Sequence, residues 1–151
     1  MIYLIYVLIV VGLFILELCI KNHIEKTKPL DKEVPIIKDK LYIQYTRNTG
    51  AMYSTFEDKS RIICGVSATF LSIMCIVYSY LLTKKGNNLL KLGTSFMLAG
   101  GLSNVYDRIK RKYVVDYIYW KRLKKIVFNL ADVFISIGAV VGMIGEMINK
   151  E

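Results

Sequence analysis

The chain has 151 residues, 54% of them apolar, with a mean hydropathy of +0.41 and a net charge of +9. That length allows one domain, and so much apolar sequence in so short a chain points away from a soluble protein and toward a membrane protein. The 21 Lys and Arg lie between apolar blocks and match no nucleic-acid-binding module, so phospholipid headgroups are the expected anionic partners and nucleic acid is not.

The chain opens with MIYLIYVLIVVGLFIL, sixteen uncharged residues before Glu17. It lacks the basic start and small-residue cleavage site of a signal peptide, so a retained transmembrane helix is expected over 2–20. Leu18 stands before Cys19 where a lipidation signal carries a small residue, which argues against lipidation there. Cys19, Cys64 and Cys75 all lie in apolar runs without a CxxC spacing, and His23 is the one histidine. They are expected as buried small hydrophobes, with no disulfide or metal site and no cofactor. Glu17 and Lys21 are spaced i, i+4 and share a helix face. They read either as an ion pair finishing the helix at the interface or as support for a polar site near the membrane surface.

Residues 21–61 carry nine Lys or Arg, six Asp or Glu and both prolines. Alternating pieces such as LYIQY predict a small strand-containing extramembrane subdomain between the first two helices. Within it, Arg47-Asn48-Thr49-Gly50-Ala51-Met52-Tyr53-Ser54 contains the turn chemistry Asn-Thr-Gly, which by itself reads as a hairpin loop. A second spanning helix is expected over 62–83, which is uncharged throughout. The short turn at 84–88 sends a third helix back beside it over 89–106. Small residues near that helix's end, Ala99-Gly100-Gly101-Leu102-Ser103, suit close helix packing, and the polar Asn104, Asp107 and Arg108 follow.

Residues 107–125 read as a basic interfacial loop with tyrosines and Trp120 at headgroup depth. A fourth helix is expected over 126–148, with Asp132 near its start and Glu146 near its end. No internal repeat is visible, so the fold expected is an all-α membrane protein, a four-helix transmembrane bundle forming a single domain over 1–151. Four passes place the third helix's end, the fourth helix's start and the loop holding Asn48 on one membrane face, with Asp107, Asp116 and Asp132.

Acids set in apolar sequence are functional candidates by default, because desolvation penalises their charge. Two carboxylates within a few ångströms share one proton, and the charged one can then activate water while the neutral one donates to a carbonyl oxygen. A bland alternative has Asp116 capping a loop and Asp132 capping the last helix. A third reading makes Asp116, Asp132 and Glu146 the relay of a small proton-coupled transporter.

Four ordered blocks then carry a resemblance over essentially the whole chain: Asn48–Ala51, the glycine-rich helix end running into Asn104-Val105-Tyr106-Asp107-Arg108, Val114-Val115-Asp116-Tyr117, and Phe128-Asn129-Leu130-Ala131-Asp132. With four hydrophobic segments around them, the chain resembles the lipoprotein signal peptidases, type II signal peptidases that are aspartic proteases of the bacterial cytoplasmic membrane. The resemblance implies Asp116 and Asp132 as the catalytic pair and Asn129 as a residue holding it, with Ala131 in the same block. Asn104, Asp107 and Arg108 match a polar cluster ordering the loop near the site, the last two as structural residues. Asn48 and Gly50 match a loop contacting substrate or the antibiotic globomycin. Glu17 stands where the family usually has Asp, with Lys21 matching its lysine partner. Ser103 replaces a Gly, and Met52-Tyr53 a small residue and Phe.

The implied substrate is a prolipoprotein whose lipobox cysteine bears diacylglyceryl, cut on the amino side of that cysteine. The family places both polar loops outside, yet those loops hold 17 of the 21 Lys and Arg. The positive-inside rule alone gives the opposite orientation.

Overall fold

The computed structural model describes residues 2–50, 60–123 and 126–148, so Ala51, Met52, Tyr53 and Ser54 of the loop motif lie outside the described residues. In chain order the elements are α1 (Ile2–Thr27), β1 (Glu33–Ile37), β2 (Leu41–Asn48), α2 (Ser60–Thr83), α3 (Asn88–Lys110), β3 (Val114–Trp120), a 3₁₀ turn (Lys121–Leu123), β4 (Val127–Phe128) and α4 (Leu130–Ile148).

Three helices, α1, α2 and α4, are long and apolar enough to cross a membrane. They turn Leu4, Ile5, Leu8, Phe70, Ile76 and Met147 outward along with many other apolar side chains. An apolar surface that continuous is sustained by lipid and not by water. The same outward placement corrects the expectation for the cysteines. Cys19 and Cys75 are exposed on the bundle's outer surface and Cys64 is partly exposed, all three as free thiols. Apolar neighbours in sequence did not mean burial in protein, because these helices show most of their circumference to the outside.

The fourth helix, α3, is less apolar. It is the central helix, packed against α1, α2 and α4. Its interior face is made of small and polar residues, with Lys91, Gly93, Thr94, Ser95, Gly100, Ser103 and Asp107 all buried. Glycines bring α3 and α4 to backbone contact. A methyl group on Gly93 would sit 2.5 Å from the Gly138 carbonyl oxygen, and one on Gly145 would sit 2.6 Å from the Leu90 nitrogen. The α2–α3 turn uses the left-handed region at Gly86 (φ 74°) and Asn87 (φ 53°), which Gly adopts freely and Asn tolerates. Tyr6, Val10, Tyr78, Leu98 and Ala99 form the core between α1, α2 and α3.

The sheet is where the structure departs furthest from expectation. The strands are not confined to the segment between α1 and α2: all four form one antiparallel sheet in the order β1-β2-β3-β4. Residues 107–125 are therefore no simple loop. α3 runs on through Asp107 and Arg108 to Lys110, and β3 pairs with β2 from Asn48↔Val114 to Leu41↔Trp120. The VVDYIYW run is rich in β-branched and aromatic residues, which favour a half-buried pleated surface. α1 likewise continues past 20 to Thr27, because Ile24 packs with Tyr45, Val115 and Tyr117 in a second core beneath the sheet. α4 starts at Leu130, later than expected, since Val127–Phe128 pairs with Ile118–Tyr119.

Candidate active site

Asp116 sits in the middle of β3 and is almost wholly buried, whereas Asp132, in the first turn of α4, is half-buried. One residue ties the two together. The Asn129 side chain donates to Asp116 Oδ1 at 2.6 Å, while its backbone N–H donates to Asp132 Oδ2 at 3.2 Å. Asn129 is also the residue before α4, and its side-chain oxygen accepts from the Asp132 backbone N–H at 3.0 Å. The reciprocal pair of bonds is a capping box, with Asn at the cap and Asp three residues on. Capping and pairing with Asp116 are thus not competing roles for Asp132, because the same local geometry serves both.

The other oxygens are held as firmly. Asn104 Nδ2 donates to Asp132 Oδ1 at 2.9 Å, and Asn48 Nδ2 donates to Asp116 Oδ2 at 3.1 Å. The opposite end of the Asn48 amide accepts from the Gly50 N–H at 3.0 Å, so the Asn-Thr-Gly turn and the contact to Asp116 use two ends of one side chain. Burial, with the Asp132 carboxylate beside it, pushes the Asp116 carboxyl up to about 7. An acid raised well above the usual carboxylate range lies next to a half-buried second carboxylate.

Behind this pair lies a buried ionic cluster. Lys21 Nζ reaches Asp107 Oδ2, Ser103 Oγ and Asn104 Oδ1, each at 3.0 Å, and Glu17 Oε1 at 3.8 Å. Lys21, Glu17 and Asp107 have no solvent exposure. The burial is sustainable because each charge is paired and hydrogen-bonded. Asp107 also accepts from the Val115 N–H at 3.1 Å and from Arg111, so it ties α1, α3 and β3 together. By accepting from Lys21, Asn104 Oδ1 is fixed as the oxygen end, which turns the NH₂ toward Asp132. α1 runs on to Thr27, so Glu17 and Lys21 do not stand at its end.

Glu17 reaches the site through a residue the sequence reading did not single out. The Tyr117 hydroxyl donates to Glu17 Oε2 at 2.8 Å and accepts from the Leu130 N–H at 3.3 Å, while Glu17 Oε1 accepts from the Ala131 N–H at 3.3 Å. Every free N–H at the start of α4 thereby has a partner. Burial and the Glu17 carboxylate hold the Tyr117 hydroxyl well above its usual range. Arg111 was also missed: it pairs with Asp107 and with Glu25, the latter at 3.1 Å. Its i, i+4 spacing from Asp107 was the available signal.

Arg108 donates to the Gly50 and Asn104 carbonyl oxygens, each at 3.3 Å, and its buried Nε has no partner among the described residues. Beside it opens a groove of about 190 Å³ between α2 and α3, running from Asn104 and Arg108 down to Leu71, Met74 and Met97. Of the residues singled out from sequence, the structure brings together Asn48, Asn104, Asp116, Asn129 and Asp132, with Glu17, Lys21, Asp107 and Ala131 behind them and Gly50 and Arg108 at the groove mouth. Glu146 is not among them, being fourteen residues beyond Asp132 on α4. Among the described residues no group of three or more His, Cys, Asp or Glu could hold a metal ion.

The fold matches solved structures of one class. Two, each described as a bacterial membrane enzyme, superpose with TM-scores of 0.83 and 0.78 at 25% and 26% identity, covering 97% and 92% of this chain and 89% and 90% of theirs. The fold is that of a multi-pass membrane enzyme. The family is equally definite: the signal peptidase II family model matches residues 9–148, and the chain belongs to that family of aspartic peptidases. Among its relatives are the lipoprotein signal peptidases of Clostridium tetani (31% identical over 89% of this chain and 86% of the relative) and Caldicellulosiruptor bescii (34%, over 90% and 86%). That of Lactococcus lactis subsp. cremoris is 30% identical over 96% of this chain and 94% of its own.

Proposed function

We propose that the chain is an endopeptidase that removes the signal peptide of diacylglyceryl-modified prolipoproteins on the amino side of the lipidated cysteine, with Asp116 and Asp132 as its catalytic pair. The observation that carries this reading is the bridge made by Asn129, which hydrogen-bonds both carboxylates, while Asn104, bonded to Asp132, lines the neighbouring apolar groove.

In this mechanism Asp116 is the general acid, its carboxyl raised by burial, and Asp132 is the general base. Asp132 takes a proton from water as the water oxygen attacks the scissile carbonyl carbon, and Asp116 gives its proton to the carbonyl oxygen. Collapse of the tetrahedral intermediate returns that proton to Asp116 while Asp132 passes its own to the leaving nitrogen, which restores both groups. Asn48, Asn104 and Asn129 keep the carboxylates aimed. The lipid-bearing peptide stays at bilayer depth, since lifting acyl chains into water costs roughly 0.8 kcal/mol per CH₂.

The same reading makes α3 a fourth span. Its 23 residues reach about 35 Å at 1.5 Å per residue, and its polar side chains face neighbouring helices instead of lipid. The sheet and the acid pair lie on the outer face, where globomycin-type inhibitors and substrate share the groove beside Asn48, Gly50 and Arg108.

The test is a gel-shift assay of the purified chain on a diacylglyceryl prolipoprotein, with Asp116→Asn and Asp132→Asn alongside. Each substitution is expected to lower cleavage by about 10³-fold or more. Cleavage surviving either one overturns the two-acid mechanism, and no cleavage by the natural chain overturns the substrate assignment. With Cys19, Cys64 and Cys75 replaced by Ser, cysteines introduced at Lys84 and Lys121 read the orientation: labelling from outside intact cells is expected at the second and not the first.

A further inference from the structure

The sheet reaches beyond the helices it covers. Cross-strand partners share a face, so Val34, Ile43, Ile118 and Phe128 form one row and Ile37, Leu41 and Trp120 form the next row on that face. Ile43 and Ile118 pack on the core beneath the sheet. The outer row has no such support: Ile37 is 52% and Trp120 42% exposed, and Ile36 and Leu123 are exposed beside them.

Basic residues surround this overhang. The Lys121 N–H donates to the Lys40 carbonyl oxygen at 3.0 Å, which joins the β1–β2 turn to the end of β3. Lys38, Lys40, Lys121 and Arg122 are all exposed there. Asp39, 3.5 Å from Lys121, is the one acid in the turn. The tip is also near a candidate span along the chain. Tyr119 pairs with Val127, and α4 begins at Leu130, so the row that ends in Trp120 lies beside chain only a few residues before a candidate span starts.

We propose that this tip is a seat for anionic phospholipid: Ile37, Leu41, Trp120 and Leu123 rest among the upper acyl chains, and Lys38, Lys40, Lys121 and Arg122 hold phosphate-bearing headgroups around them. Apolar and aromatic side chains ringed by Lys and Arg are the pattern that binds a charged interface, because long basic side chains bury their stems while their charge stays at the headgroups. The proposal uses the reading that α4 crosses the bilayer with its first turn at the surface, and it does not depend on the catalytic assignment.

Trp120 is the one tryptophan of the chain, so its fluorescence reports the tip alone. The full chain is reconstituted into vesicles of phosphatidylcholine and phosphatidylglycerol at one fixed ratio, with bromine on the acyl chains of one lipid or of the other. Quenching is expected to be about twofold or more stronger when phosphatidylglycerol carries the bromine, and high salt should abolish the preference. Lys38→Gln, Lys40→Gln, Lys121→Gln and Arg122→Gln together should equalise the two vesicle sets at an unchanged melting temperature. Equal quenching of the natural chain in both sets overturns the anionic preference, and full access of iodide to Trp120 overturns the seat itself. Alkaline carbonate extraction of the same vesicles separates these results from failure of the spanning reading, which alone would release the chain.

Discussion

Helices α3 and α4 are joined in two different ways along their length. Away from the sheet, Gly93 and Leu90 meet Gly138, Gly142 and Gly145 almost backbone to backbone. Toward the sheet Gly100 makes a last close approach, to the Ala131 carbonyl, and beyond it Asn104 and Asp132 face each other, with Asn129, Lys21 and Asp107 around them, joined by side-chain hydrogen bonds. The glycine half fixes the distance between helices and offers no chemistry. In the polar half that spacing is filled with groups whose orientation is set atom by atom. On the reading proposed, a rigid join below serves a reactive pair above, because a catalytic carboxylate pair tolerates little error in position.

The largest expected effect falls on the polar half. Lys21→Met leaves Asp107 and Glu17 buried with their shared cation gone, and should cost about 3–5 kcal/mol in denaturant or thermal unfolding in detergent. An unchanged stability would mean that the cluster does not hold the helices together. On the glycine half, Gly138→Val places side-chain atoms against the Gly93 carbonyl and Met97 and should cost about 1–3 kcal/mol. Activity per folded molecule should fall too, if helix spacing sets the acid pair.

A third expectation separates chemistry from packing. With Asp116 held up to about 7, cleavage that needs its proton should fall on the alkaline side, reaching roughly tenfold below plateau a pH unit above that value. Stability should fall in the same direction. A carboxyl raised in the folded state stabilises fully below its ordinary value of 3.8, and that contribution is lost as pH rises through about 7. A flat profile from pH 6 to 9 would remove Asp116 from the acid role. The smallest effect is expected from Tyr117→Phe, which strips a partner from both Glu17 and the Leu130 N–H. A stability loss of about 1 kcal/mol should accompany a fall in kcat larger than any change in KM.

Much of this site was legible in the sequence, for identifiable reasons. Asp116 and Asp132 interrupt apolar sequence, where charge is costly, and Glu17 and Lys21 share a helix face by spacing alone. The four-strand sheet was not legible, because the YIYW run with its basic neighbours also fits an interfacial loop, and pairing with β2 is a long-range event that no local pattern reports. Charged residues hid the ends of α1 and α3: Asn104-Val105-Tyr106-Asp107-Arg108 reads as the exit from a membrane helix, yet tertiary partners for Asp107 and Lys21 carry that helix on to Lys110. Tyr117 was out of reach for a related reason. Its partners Glu17 and Leu130 come from opposite ends of the chain, and the strand that places it between them is itself non-local.

The capping box at Asn129 and Asp132 also bears on how the protein is made. During synthesis a growing chain has Lys21, Asn48, Asn104 and Asp116 before it has Asn129 or Asp132. Its second acid comes into position only when the first turn of α4 closes. A chain in which that turn has not formed therefore has Asp116 without its partner acid, and on the reading proposed it is inert toward the membrane proteins around it.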